Sequence, residues 1–227
     1  MVYRRGHHRR GGARKGAGRK PKDGKAGVSH ARRQRLGKRS VVHVTMRVVK
    51  EMAGLRRWKQ YQQIRRALHL ANQRADFRVV QFSIQGNHFH LLIEVDSKPA
   101  LSRGMQGLNI SVAKRLNKLA GRRKGKVFKD RYHARVVKNP RQARNALCYV
   151  LHNARRHGVH ESHNPHWLDP CSSQEYFDGW SHRQRRTPPE PSPDEQVVRP
   201  ARSWLLTEGW KRYGLLHSHE SPGSKRA

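Results

Sequence analysis

From residue 41 onward the apolar positions switch between a period of two and a helical period. The β-branched, partly alternating run Val41, Val42, Val44, Met46, Val48 and Val49 predicts a strand over 41–49. Ile64, Ala67, Leu68 and Ala71 then fall on one helical face and predict a helix over 59–74. A second strand over 77–84 runs into the turn signal Gly86-Asn87. The next run, His88-Phe89-His90-Leu91-Leu92-Ile93-Glu94, is therefore its hairpin partner. Leu101, Met105, Leu108, Val112 and Leu116 predict a second helix over 99–119, after which a basic loop, 121–126, opens onto a strand over 127–137. The last helix starts at Asn139-Pro140, a cap residue followed by proline at the first helical position, and runs to His157, where Gly158 stops it. The order β-α-β-β-α-β with one appended helix is an α+β, ferredoxin-like arrangement. Its antiparallel sheet carries helices on one face and leaves the other for a site.

Outside this 41–180 domain the pattern changes. Residues 1–40 hold fifteen Lys or Arg and one Asp, with almost nothing to bury, and predict a disordered basic arm. Within it, Arg14, Lys15, Arg19 and Lys20 lie in a segment similar to an AT-hook, but Lys20 stands between Arg19 and Pro21, which favours nonspecific phosphate contacts. Residues 167–180 are rich in aromatics and turn formers, suited either to stacking bases or, preferably, to pinning the tail on the core. Residues 181–200 read as a linker. In 201–227 a short amphipathic segment is anchored by Trp204, Leu205 and Trp210, and the final ten residues are expected to be disordered.

Charge narrows the partner. Fifty Lys and Arg against fifteen acidic residues give a formal charge of +35, an excess that repels itself until a polyanion neutralises it. Nucleic acid is the expected polyanion. No stretch approaches the ~20 apolar residues of a membrane-spanning helix, and the N-terminus lacks a signal-peptide core. Cys148 and Cys171 show neither metal spacing nor a disulfide framework, which suits a reducing cytoplasm.

The candidate chemistry sits on two elements. On a strand, His88 and His90 project to one face while Phe89, Leu91 and Ile93 point to the other, so two imidazoles can chelate one metal ion. Alone, such a pair reads more readily as two satisfied histidines. On the last helix Leu147, Val150, Leu151 and Ala154 form the apolar stripe, and Tyr149 lies opposite it with Asn145 and Asn153 a turn to either side. Alternation over 127–137 sets Lys129, Arg131, His133 and Arg135 on one strand face, either along a DNA backbone or as a solvated edge.

Taken in order, Gly86-Asn87-His88-Phe89-His90-Leu91-Leu92-Ile93-Glu94, Val127-Phe128-Lys129-Asp130-Arg131-Tyr132-His133 and Tyr149-Val150-Leu151-His152-Asn153-Ala154-Arg155-Arg156-His157-Gly158 resemble the motifs of single-tyrosine HUH transposases. The nearest branch is the REP-associated tyrosine transposases, relatives of the IS200-type enzymes, and the resemblance spans 40–180. It implies a bacterial, nucleoid-associated enzyme acting on hairpin-bearing single-stranded DNA as a monomer or homodimer. The implied reaction is cleavage and rejoining through a 5′-phosphotyrosine link, with Tyr149 as nucleophile and His88 and His90 on a divalent metal. Two imidazoles leave a hard cation incompletely coordinated. Glu94 lies roughly 13 Å along the strand from His90 and is too far to help. Asn153, four residues after Tyr149, presents an amide at the position where relatives carry a polar ligand, with His152 as the fallback. Two His and one amide suit Mg²⁺ or Mn²⁺. The competing reading is a domesticated hairpin-binding protein whose site is idle.

Overall fold

The computed structural model describes residues 35–159, 164, 166–181 and 196–222. Four strands, β1 (Ser40–Arg47), β2 (Phe77–Ile84), β3 (His88–Val95) and β4 (His133–Val137), form one antiparallel sheet in the order β2-β3-β1-β4. The helices α1 (Trp58–Asn72) and α2 (Lys98–Leu119) connect them, which gives the ferredoxin-like topology. Ser97 caps α2 by accepting from the Ala100 N–H, and Asn139 caps the next helix, α3 (Pro140–Leu151), by accepting from the Gln142 N–H. The β2–β3 hairpin closes with the Gln85 N–H donating to the His88 carbonyl at 2.8 Å, around Gly86 and Asn87.

One face of the sheet presents Val42, Val44, Met46, Phe82, Phe89, Leu91 and Ile93 to Ile64, Ala67 and Leu68 of α1 and to Leu101, Met105, Leu108 and Val112 of α2, all buried in a single cluster. Full burial of each such side chain is worth about 1.5–3 kcal/mol. The α2 backbone approaches this sheet closely at Gly104, where an added Cβ would stand 2.1 Å from the Phe77 ring. Gly104→Ala therefore forces a core ring to move. Its better helix propensity, ~1 kcal/mol, is outweighed by about 1–3 kcal/mol of overpacking, so the denaturant midpoint should fall with an unchanged slope.

The second face is not left open along its whole length, as the sequence pattern suggested. β3 is apolar on both sides beyond His90, so Leu92, with Val41, Val80 and Val137, needs its own cover. That cover is α3, whose Ala143, Ala146, Leu147, Val150 and Leu151 complete a second cluster. The tyrosine helix thus closes one end of the face and covers the histidine end only in part, with Arg47, His133 and Arg135 exposed. α3 also does not run unbroken to His157: it stops at Leu151, His152 takes φ −96° and ψ 18°, and a single turn, α4 (Asn153–Arg156), follows. β4 is likewise shorter than expected. Lys129 and Arg131 lie in bends ahead of it, though the Lys129 N–H still reaches the Arg47 carbonyl at 2.8 Å.

C-terminal residues protect the free edge of β2. Ser172 and Cys171 pair alongside Ser83 and Ile84, and the Arg199 N–H donates to the Val79 carbonyl. Val197 is buried in the first core cluster, so the end of the expected linker is packed structure, while 182–195 lie outside the described residues. The buried Glu94 carboxylate accepts from the N–H groups of Arg202 and Ser203 and fixes the entry to α5 (Trp204–Thr207). Trp210 is buried beside Phe177 as expected, whereas Trp204 is 49% exposed with the Arg212 guanidinium over its ring, and Leu206 serves as the anchor in its place. Among the described residues no helix is long and apolar enough to cross a membrane.

Candidate active site

Strand register assembles the site. β1 and β3 pair Arg47 with His88, Thr45 with His90 and His43 with Leu92, while β1 and β4 pair Thr45 with His133 and His43 with Arg135. Directly opposed residues share a face, so His43, Thr45, Arg47, His88, His90, His133 and Arg135 all project from one end of the same face of the sheet. α3 then lowers Tyr149 onto them. Its half-buried ring meets His90 edge-on at a centroid distance of 5.1 Å and His43 at 5.5 Å. His88 packs 5.0 Å from His90 on one side and 5.2 Å from His157 on the other. The Arg156 guanidinium lies 5.5 Å above the Tyr149 ring.

Hydrogen bonds orient the two strand histidines. Nδ1 of His88 lies 2.8 Å from Asn87 Oδ1, an atom that can only accept, so His88 donates from Nδ1 and keeps its lone pair on Nε2. Nδ1 of His90 is shared between Thr45 Oγ1 at 3.0 Å and His43 Nε2 at 3.1 Å, while His90 Nε2 is buried with no hydrogen-bond partner among the described residues. Burial is the main force on their protonation. It pushes His43 and His88 down to about 4 and His90 lower still, with the neighbouring imidazoles adding to the effect. All three are neutral near pH 7, the form that ligates metal.

Asn153 is fully buried, and neither its amide oxygen nor its amide nitrogen has a hydrogen-bond partner among the described residues. It opens α4 immediately after the break in the helix, so the break and the sheet contacts of α3 set its direction; a straight turn from Tyr149 does not. The His88 and His90 rings lie side by side and Asn153 carries an unpartnered amide in the turn that follows α3, donors of types that suit a divalent ion of the Mg²⁺ or Mn²⁺ kind. His152, the fallback ligand, contacts Trp180 at 5.4 Å and has Cys148 and Glu220 beside it.

The remaining candidates divide. Arg135 is exposed on the site face two residues after His133, and Lys129 and Arg131 are exposed just upstream, so the basic row continues only partly through the strand. Arg14, Lys15, Arg19 and Lys20 lie outside the described residues. Tyr132, the other tyrosine within the three motifs, is 9% exposed within the first core cluster. Sequence reasoning missed His43, Thr45 and His157. The first two carried a signal in the spacing His43, Thr45, Arg47, a polar alternation within a valine-rich strand. An open cleft of about 450 Å³ flanks the site, lined by Arg47, Gly54, Gly86, Asn87, His88 and His157 among others.

A family model described as "Transposase IS200 like" matches residues 38–153. The structure of a REP-associated tyrosine transposase bound to a REP hairpin is similar at 18% identity and a TM-score of 0.53, covering 66% of this chain and 84% of that one. A candidate transposase from Deinococcus radiodurans R1 aligns at 12% identity and a TM-score of 0.37, over 61% of this chain and 99% of its own. The likeness of fold rests on the first of these. No curated protein matches.

Proposed function

Because the chain belongs to the IS200-like transposase family, whose model covers just over half of it, we propose that it binds hairpin-bearing single-stranded DNA and cleaves and rejoins it through a 5′-phosphotyrosine link. The observation that carries this reading is the position of Tyr149, its half-buried ring edge-on to His90 at the histidine end of the sheet. In the proposed step the Tyr149 hydroxyl oxygen attacks a backbone phosphorus and gives up its proton, a new P–O bond forms, and the bond to the 3′ oxygen breaks as that oxygen takes up a proton. Rejoining is the same step in reverse, which an aryl phosphate permits because phenoxide leaves more readily than an alkoxide.

His88, His90 and Asn153 would hold a divalent ion, Mg²⁺ or Mn²⁺, which when bound polarises the scissile phosphate. Thr45 and His43 orient His90, and Asn87 orients His88. Arg47, Arg135, Lys129 and Arg131 supply positive charge around the histidine end of the sheet, where a DNA backbone must run to reach Tyr149. The decisive experiment incubates the protein with labelled single-stranded hairpin DNA and Mn²⁺ and looks for a covalent adduct that survives a denaturing gel. Tight hairpin binding without any adduct would mean an idle site and a binding protein.

The basic arm adds affinity more than selectivity. Removing residues 1–34, which precede the first residue of β1 at Ser40 in the sequence, takes away twelve Lys or Arg. For every phosphate that the arm no longer neutralises, the slope of log affinity against log salt becomes shallower by about 0.9 for duplex, or 0.7 for single strands. The truncated protein should bind hairpins more weakly and with a shallower salt dependence, yet form the adduct at saturating DNA. Loss of hairpin discrimination on truncation would instead make the arm a specificity element.

A further inference from the structure

The side of α3 that faces away from the sheet's histidines carries a stripe that the proposed reaction does not use. Arg144, Cys148 and His152 recur at i, i+4 and i+8, are all buried, and all face the C-terminal segment 214–220. Arg144 donates from Nε to the Gly214 carbonyl at 2.9 Å and from Nη2 to the Leu215 carbonyl and Glu220 Oε1 at 3.2 and 2.5 Å. The segment arrives there by pairing Leu216 with Gly179, Trp180 and Ser181. One donor atom each of Cys148, His152 and Glu220 lies within 4.8 Å of the others.

Histidine geometry points to a ligand. The Nδ1 of His152 lies 3.1 Å from the Cys148 carbonyl, an atom that can only accept, so the N–H is on Nδ1 and the lone pair is on Nε2. Metal-ligating histidines commonly show this arrangement, one nitrogen held by a backbone carbonyl and the other presented to the ion. His152 is fully buried. The main chain of His217 faces the ring, but no hydrogen bond of normal geometry reaches Nε2 among the described residues. A thiol, an imidazole nitrogen and a carboxylate oxygen thus converge within 4.8 Å of one another, two of the residues buried and the third partly exposed.

We propose that Cys148, His152 and Glu220 bind a borderline-soft divalent ion of the Zn²⁺ class, which clips the C-terminal segment to the tyrosine helix. Coordination converts the Cys148 thiol to a thiolate and releases its proton to solvent. The mixed S, N, O donor set selects Zn²⁺ over Mg²⁺, and three protein ligands leave the fourth tetrahedral position for water. Glu220 keeps Arg144 on one oxygen and gives the other to the ion. Cys148 is the residue before Tyr149 and His152 sits at the helix break, so the clip sets the end of α3 on which the nucleophile rides.

Cobalt(II) tests the site in the full-length, chelator-treated protein. A thiolate ligand produces an intense sulfur-to-cobalt charge-transfer band that imidazole and carboxylate ligands do not, and the His88–His90 site contains no cysteine. One equivalent of Co²⁺ should raise this band, Zn²⁺ should displace it, and Zn²⁺ should raise the thermal midpoint. Cys171→Ser should keep the band and Cys148→Ser should lose it. Glu220→Gln, which retains the thiolate, should weaken Co²⁺ binding by more than about tenfold, since removal of a direct ligand costs at least what loss of an outer-shell partner does. No charge-transfer band with excess Co²⁺, or the same band in Cys148→Ser, overturns the proposal and leaves the DNA adduct assay untouched.

Discussion

Tyr149→Phe should abolish the covalent protein–DNA adduct while hairpin affinity stays within a few-fold of the parent. The substitution removes one oxygen and keeps the ring, and the ring makes the structural contacts: its edge on His90, its approach to His43 and its place beneath Arg156. The half-buried ring therefore holds its position, and the helix beneath it is anchored independently by Ala143, Ala146, Leu147, Val150 and Leu151 in the second cluster. Only the nucleophile disappears. Tyr132→Phe is the matched control, since that side chain packs in the first cluster under the opposite face and its loss of a hydroxyl should leave the adduct intact. If the adduct formed normally with Tyr149→Phe and vanished with Tyr132→Phe, the nucleophile would be misassigned and the role given to Asn153 would fall with it.

Much of this arrangement could be read from residue order. The hairpin of β2 and β3 was legible because a turn signal separated two strongly apolar runs, and the placement of His88 and His90 on one face follows from strand geometry alone. The position of Tyr149 opposite an apolar stripe marked it as something other than core, and its ring is indeed only half-buried. What escaped were properties that belong to tertiary register. His43 is one residue in a valine-rich strand until β1 pairs with β3 and brings it to His90. Leu92 looked like part of a buried run, yet it shares the histidine face and is the reason α3 must lie across that face. His157 reaches His88 from the end of the short turn that follows the break at His152, a change that helical periodicity cannot announce. Helical spacing sets His152 beside Cys148, but Glu220 joins them only through a chain reversal of some seventy residues, which no local spacing encodes.

The same register predicts what happens when His90 is removed. His90→Ala should eliminate adduct formation at low Mn²⁺, because it deletes the more deeply buried of the two strand imidazoles and with it the orphaned Nε2 on which the proposed ligand set depends. His88→Ala should also fail, with a smaller cost to folding, since His88 is only partly buried and its ring faces the cleft. The informative variant is Thr45→Val, which preserves shape and removes one of the two groups that hold His90 Nδ1. Outer-shell losses of this kind typically cost 10–100-fold in metal affinity or activity. Cleavage by Thr45→Val should therefore fall by about that factor at limiting Mn²⁺ and recover as Mn²⁺ is raised, whereas His90→Ala should not recover fully at any concentration. A Mn²⁺ titration of adduct yield separates the two behaviours. Wild-type cleavage by His90→Ala at limiting Mn²⁺ would show that the ion, if one is used, is held by other groups, and that His90 is on this face only to support the ring of Tyr149.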